Sequence, residues 1–256
     1  LNSDTLAQLE QLAQIAIDSG ATPGCVILVA KSGKIVYEKA FGYHTYDKKQ
    51  RMQTSDIFDL ASITKIAAST ISVMSLVDQG KVDVDQPLSR YLPSLKGSNK
   101  ENLLLSDIMI HQAGLTPWIR FYDQTTVKKG KKVVPSSVYY RPKQQGNFTL
   151  AVTEKLFLRK DIADSIRKQI KDSPLLASTD YRYSDLGFYL ISDMINRQTG
   201  LPIEDYVQQT FYRPLGLQTA GYNPWKRFPI NMMPPTEEDH YFRDQKIQGY
   251  VHDRGA

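Results

Sequence analysis

Between Lys65 and Asp78 the segment Ile-Ala-Ala-Ser-Thr-Ile-Ser-Val-Met-Ser-Leu-Val carries no charged side chain. A helix of that composition has little to offer water, so the fold has to be arranged to cover it. Ile66, Ser69, Val73 and Val77 fall roughly a turn apart, and Gly80 stands where such a helix would stop. The approach is Phe58-Asp59-Leu60-Ala61-Ser62-Ile63-Thr64-Lys65. Ser62 and Lys65 are three residues apart, so a helix places them on one face. Ser62 falls at the helix start, where free backbone N–H groups and the dipole favour developing negative charge. A lysine beside a buried helix is costly unless its pKa falls or it finds partners. A hydroxyl, an amine within reach and outward N–H groups are what acyl transfer needs.

Ser-x-x-Lys alone is a weak signal, and a second copy, Ser165-Ile-Arg-Lys168, lies in an evenly charged amphipathic run that reads as a solvated helix face. Composition narrows the remaining classes. The chain has 256 residues, 41% apolar and 23% charged, as expected of one large domain or two intertwined lobes. Net charge is +5, and the dense cluster Lys128-Lys129-Gly130-Lys131-Lys132 reads as a loop. No helix pairs a basic stripe with aromatics placed to stack bases, which argues against nucleic acid as a partner. Cys25 is the single cysteine, so no internal disulfide framework exists, and it reads as a small core residue. No apolar run is long enough to span a bilayer, and the residues that follow Leu1 do not read as a signal peptide. The histidines outside the His111 block lack metal-ligand spacing, and neither a metal nor another cofactor is expected.

In chain order, Ser3 or Asp4 caps a first helix with Leu6, Leu9, Ala13, Ala16 and Ile17 on one stripe, ended by Gly20. Cys25 to Ala30 and Ile35 to Phe41 read as two strands around a turn at Lys31-Ser32-Gly33-Lys34. After the buried helix comes a turn-rich crossing at Asp83 to Tyr91, then a short helix from Leu103 to Ile110. Arg120 to Gly146 reads as a long irregular insertion, a lid or a partner surface. Thr149 to Lys171 reads as two charged amphipathic helices. Leu186 to Arg197, closed by Gly200, and Pro202 to Phe211 read as further helices. Phe228 to Ala256 shows no element. In outline, 1–61 gives a helix and hairpin, 62–200 a mainly helical lobe with its insertion near 120–180, and 201–256 a return segment.

Tyr183 precedes a helix, so its phenol can be held rigidly. Set against Lys65, a phenol gains from the positive charge and becomes a plausible general base. The blocks Phe58 to Lys65, Pro87 to Pro93, His111 to Leu115, Tyr183 to Gly187 and Pro214 to Leu217 together resemble those of the penicillin-recognising serine hydrolases. The nearest branch is the one of class C β-lactamases, D-alanyl-D-alanine carboxypeptidases and related esterases. Pro234 to Asp239 with Gln248 to Asp253 resembles a subgroup of cell-wall muropeptide amidases, some fused behind a glycoside hydrolase family 3 domain. The resemblance implies an α/β, β-lactamase-like fold, a helical lobe plus an antiparallel sheet. It also implies Ser62 as acylated nucleophile, Lys65 as its activating partner, Tyr183 as proton shuttle, and the Ser62 N–H as half of an oxyanion hole. Trp118 would wall the cleft. Export to the periplasm or cell envelope follows from the same resemblance.

Two departures from the family pattern stand out. Asp185 replaces an asparagine, and an ionised carboxylate only accepts hydrogen bonds, so it would hold Lys65 charged and shift the base role toward Tyr183. Asp185→Asn is then expected to move the acidic limb of the pH–rate profile. The family's third motif, Lys or His two residues before Gly, has no copy beyond Tyr183. Only the first two sheet strands are visible, so the C-terminal strands are expected to be missing from this chain. The completing partner would be a separate C-terminal fragment or an exchanged strand. Three functions remain open: a hydrolase of amide or ester bonds in peptidoglycan fragments, a β-lactamase or small-ester esterase, and a non-catalytic penicillin-binding or sensor module.

Overall fold

A computed structural model describes residues 3–253. The chain divides into two compact units, one built from the segment up to Asp59 with Asn223–His240 and Asp244–His252, the other from Leu60–Tyr222 with Tyr241–Arg243 and Asp253.

In the first unit, α1 (Ser3–Asp18) turns Leu6, Leu9, Ala13, Ala16 and Ile17 inward, the stripe its spacing predicts, and Gly20 follows in the left-handed region. Any N-cap lies outside the described residues. β1 (Gly24–Lys31) pairs antiparallel with β2 (Lys34–Gly42), with a register shift at Val29/Ala30. Ser32 and Gly33 both have positive φ, as a two-residue hairpin turn requires. Cys25 is half-buried in β1, and burial pushes its thiol pKa up. His44 and Asp56 form a buried pair, Nε2 to Oδ2 at 2.7 Å, and Asp56 also accepts the Gln53 N–H at 2.7 Å. The stretch after Phe228, read as featureless, carries a 3₁₀ turn (Ile230–Met232) and a short hairpin of Glu237–Asp239 with Gln245–Ile247.

The second unit is organised on the uncharged segment, which continues from a π-helical stretch, Lys65–Thr70, into α2 (Ile71–Asp78). Its inward residues are Ala68, Ser69, Ser72, Val73 and Leu76, whereas Ile66 and Val77 are exposed. The predicted stripe is therefore only half right. A stretch bonded i to i+5 takes more residues per turn than an α-helix, so the phase changes between Ile66 and Val73. α3 (Leu105–Met109) and α5 (Leu186–Thr199) join α2 in one core, where Leu105, Leu186, Ile191, Met194 and Ile195 are fully buried. α5 ends at Gly200 with φ 73°, as expected for a C-terminal glycine. α6 (Ile203–Val207) follows, and its own π-helical continuation, Gln208–Tyr212, ends with the Tyr212 hydroxyl donating to the Ala67 carbonyl at 2.7 Å.

α3 and α5 meet at Gly187, where an added Cβ would lie 2.5 Å from Cγ2 of Ile108. Gly187→Ala is therefore expected to destabilise the protein by about 1–3 kcal/mol through overpacking. In denaturant unfolding the midpoint should fall while the slope is unchanged.

The segment between α3 and α5 differs most from expectation. Arg120 to Gly146 is not irregular: a 3₁₀ turn (Phe121–Thr125) leads into a hairpin of β3 (Thr126–Lys129) and β4 (Lys132–Pro135), and the lysine cluster wraps its turn. β5 (Tyr140–Arg141), β6 (Phe148–Thr153) and β7 (Leu156–Arg159) form a three-stranded sheet in the order β5-β7-β6. Only one helix follows, α4 (Ile162–Asp172). The first of the two expected helices is thus a hairpin: Phe148-Thr-Leu-Ala-Val-Thr153 is rich in aromatic and β-branched residues, and Glu154-Lys155 makes the turn. Ser165 and Lys168 lie on α4, where Lys168 is exposed and paired with Asp172. Lys100 is fully buried, and its ammonium donates to Asn99 Oδ1 at 3.0 Å and to the carbonyls of Lys171 and Ser173 at 3.1 and 2.6 Å. It thereby satisfies carbonyls that the end of α4 leaves open. Burial pulls its pKa down, with Asp172 opposing.

Candidate active site

The turn that carries Ser62 begins at Ala61, whose φ of 45° is unusual for a residue with a side chain. Three tight i to i+3 hydrogen bonds follow: Ile63 N–H to Leu60, Thr64 N–H to Ala61 and Lys65 N–H to Ser62. These bring the two side chains to one face, and Lys65 Nζ donates to Ser62 Oγ at 3.0 Å. The Ser62 N–H itself makes no hydrogen bond with the described residues.

Tyr183 and Asp185 reach the same place from the N-terminal end of α5. The Tyr183 hydroxyl donates to Ser62 Oγ at 2.6 Å. Lys65 Nζ lies 2.6 Å from Asp185 Oδ1 and 5.1 Å from the centre of the Tyr183 ring. The Phe188 ring, one turn into α5, closes under the same ammonium at 5.6 Å. Asp185 is the N-cap residue of α5, yet its carboxylate makes no capping bond because it is turned to Lys65. Ser184 does that work instead: its Oγ accepts the Leu186 N–H at 3.2 Å and donates to the Thr116 carbonyl at 2.6 Å. The Asp185 N–H donates to Pro117 O at 2.9 Å, which fastens the start of α5 to the segment after His111.

Electrostatics follow from the partners. Burial pulls the Lys65 pKa down, but hydrogen bonds to Asp185 and Tyr183, with their charges, outweigh it and leave the pKa above the ordinary lysine value. The lysine has found partners, so its ammonium is the stable form at neutral pH.

Ser62, Lys65, Tyr183 and Asp185 therefore meet within hydrogen-bond distances. Trp118 does not join them: its indole is 57% exposed and makes no ring contact or hydrogen bond with the four. The reading of the sequence assigned nothing to His111 itself, whose ring packs on Tyr183 at 4.4 Å between centroids. Its only local signal was its place in a block that also holds Gly114. Among the described residues no group of three or more His, Cys, Asp or Glu could hold a metal ion, and no helix is long and apolar enough to cross a membrane.

The family model described as Beta-lactamase matches residues 9–232. An N-acetylmuramyl-L-alanine amidase of Bacillus subtilis (strain 168) is 30% identical over 275 residues, covering 98% of this chain and 56% of its own length. Among solved structures, EstCE1, a hydrolase with promiscuous acyltransferase activity, superposes with a TM-score of 0.61 at 23% identity, over 82% of this chain and 51% of its own. A class C β-lactamase in complex with cefoxitin gives 0.60 at 19% identity, over 85% and 51%. The two structures share the fold, and the chain spans a little over half the length of these relatives. With the family model running through both the Ser62 turn and the Tyr183 segment, the chain belongs to the Beta-lactamase family.

Proposed function

We propose that the protein is a serine acyl-transfer hydrolase that cleaves amide or ester bonds of peptidoglycan-derived peptides through an acyl-enzyme at Ser62. The observation that carries this reading is the convergence on Ser62 Oγ of a phenol at 2.6 Å and an ammonium at 3.0 Å. Ser62 Oγ attacks the substrate carbonyl while its proton passes to the Tyr183 oxygen, which relays its own hydroxyl proton to the leaving amine or alcohol. Lys65, held charged, stabilises the negative charge that moves between the two oxygens. The unspent Ser62 N–H faces the role of oxyanion donor. In the second half-reaction water attacks the acyl carbon, and Tyr183 relays its proton to Ser62 Oγ as the acyl–oxygen bond breaks.

The substrate class is supported by the sequence likeness to an N-acetylmuramyl-L-alanine amidase, and a location in the cell envelope is part of the same reading. The reading includes the finer points of the resemblance: the muropeptide-amidase subgroup, a fused glycoside hydrolase domain, and a third motif with completing strands supplied from outside residues 1–256. Labelling of the full-length protein with a fluorescent penicillin and with a fluorophosphonate tests it. Both should label the wild type and neither should label Ser62→Ala. A slowly released penicillin adduct favours the peptidase, rapid turnover of the drug favours a β-lactamase, and absence of any label removes the enzyme reading.

A further inference from the structure

His111 follows α3 with a φ of 62°, a left-handed conformation that a residue with a side chain keeps only where its surroundings enforce it. Two hydrogen bonds do so here. Its carbonyl accepts the Arg182 N–H at 2.9 Å, and its ring Nδ1 accepts the Ser184 N–H at 3.2 Å. These two N–H groups flank Tyr183, so one residue grips the backbone on both sides of the phenol-bearing position. The His111 ring also lies against the Tyr183 ring, 4.4 Å between centroids and tilted by 37°. Tyr181 meets the imidazole edge-on at 6.0 Å, and Phe188 packs at 5.6 Å. Backbone and ring of Tyr183 are thus both fixed by the same side chain, 72 residues back in the chain (183 − 111).

We propose that His111 is a positioning residue for the Tyr183 phenol and does this only in its neutral form. The inference rests on the acyl-transfer reading of Ser62. An Nδ1 that accepts a hydrogen bond carries no proton, so the imidazole proton belongs on Nε2. A second proton would turn Nδ1 into a donor pointed at the Ser184 N–H, and the grip on that side of Tyr183 would be lost. The charged groups that act on the ring are Lys65, which disfavours an imidazolium, and Asp185, which favours one; the other facing groups are the Tyr181 and Tyr183 phenols and the Phe188 ring. Burial first and Lys65 second hold the His111 pKa below the ordinary histidine value, with Asp185 opposing in part. The neutral form therefore prevails at neutral pH, and the grip is released as pH falls through that lowered value.

The test follows the rate of Ser62 acylation by a fluorescent penicillin, across pH, in the full-length wild type, His111→Asn and His111→Phe. Asparagine tolerates the left-handed backbone, can accept the Ser184 N–H through Oδ1, and does not titrate; phenylalanine keeps a ring but offers no acceptor. His111→Phe should lose about 10²-fold in the acylation rate constant, the cost of a displaced catalytic group, with probe affinity little changed. His111→Asn should recover most of that loss and stay level at the acidic pH where the wild type declines. Histidine ¹⁵N NMR of the wild type at neutral pH should show a bare Nδ1 and a protonated Nε2. Wild-type rate and pH profile in His111→Phe, or an Nδ1 that carries the proton, would overturn the proposal. If His111→Phe does not fold, an unchanged acidic decline in His111→Asn overturns it just as well. Should neither probe label the wild type, the acyl-transfer reading fails separately. The NMR tautomer, and slow Tyr183 ring flips that quicken on acid titration, still decide whether His111 holds that ring.

Discussion

Tyr183→Phe is expected to slow acylation of Ser62 by about 10²–10⁴-fold, the range for removing a positioned general base. The substitution deletes one oxygen. The ring remains to pack on His111 at 4.4 Å and beneath the Lys65 ammonium at 5.1 Å, so the fold should be undisturbed. Lys65 Nζ stays 3.0 Å from Ser62 Oγ, but as an ammonium it can donate and cannot take the serine proton. The check is a single-turnover measurement with a fluorescent penicillin, alongside thermal unfolding. A variant that acylates at the wild-type rate would move the base role to Lys65.

Lys65→Met is expected to cost about 10²–10³-fold, comparable to removing one donor from a developing oxyanion. Part of that loss is not the missing donor. The Asp185 carboxylate, now unpaired, would sit near Ser62 and repel the charge that forms there. Lys65→Met combined with Asp185→Asn should therefore recover some of the rate, and a double-mutant cycle on acylation rates measures the coupling. Asp185→Asn alone keeps the amine and changes its balance. Without the carboxylate, burial prevails and the Lys65 pKa falls. The limb of the pH–rate profile that reports loss of the Lys65 proton, the alkaline one and not the acidic one expected from the sequence because Lys65 is held as an ammonium, should then move to lower pH; an unmoved limb would take Asp185 out of the mechanism. The sign for stability follows from the raised folded-state pKa: the ion pair contributes at neutral pH, and that contribution fades as pH rises through the folded-state value.

What the sequence disclosed, and what it hid, sorts by the range of the cause. The α1 stripe, the Ser32-Gly33 turn and the glycine stop of α5 are set by neighbours in the chain, and their residues announce them. Ser62 with Lys65 is also local, one turn of helix. Tyr183 and Asp185 were legible through the order of blocks along the chain, because no local pattern ties them to a serine 121 residues away. The hairpin of β6 and β7 was misread because Glu154-Lys155 and Arg159-Lys160 break the apolar run at intervals that also suit an amphipathic helix. Lys100, His44 and His111 stayed silent for another reason. Each is defined by acceptors or donors elsewhere, the Ser173 carbonyl for Lys100, Asp56 for His44 and the Ser184 N–H for His111. A buried polar side chain states a need in the sequence, and only the fold shows how it is met.

The π-helical stretch at Lys65–Thr70 has a consequence for anyone reshaping this protein. It acts as a one-residue spacer between a working end and an anchoring end. Ala68, Ser69, Ser72, Val73 and Leu76 dock the rod, while Ser62 and Lys65 must look toward the phenol. Trimming one residue from the stretch to idealise it would swing the leading turn by about 100° about the axis. The trimmed rod would be the more regular helix, and its Ser62 would no longer face Tyr183.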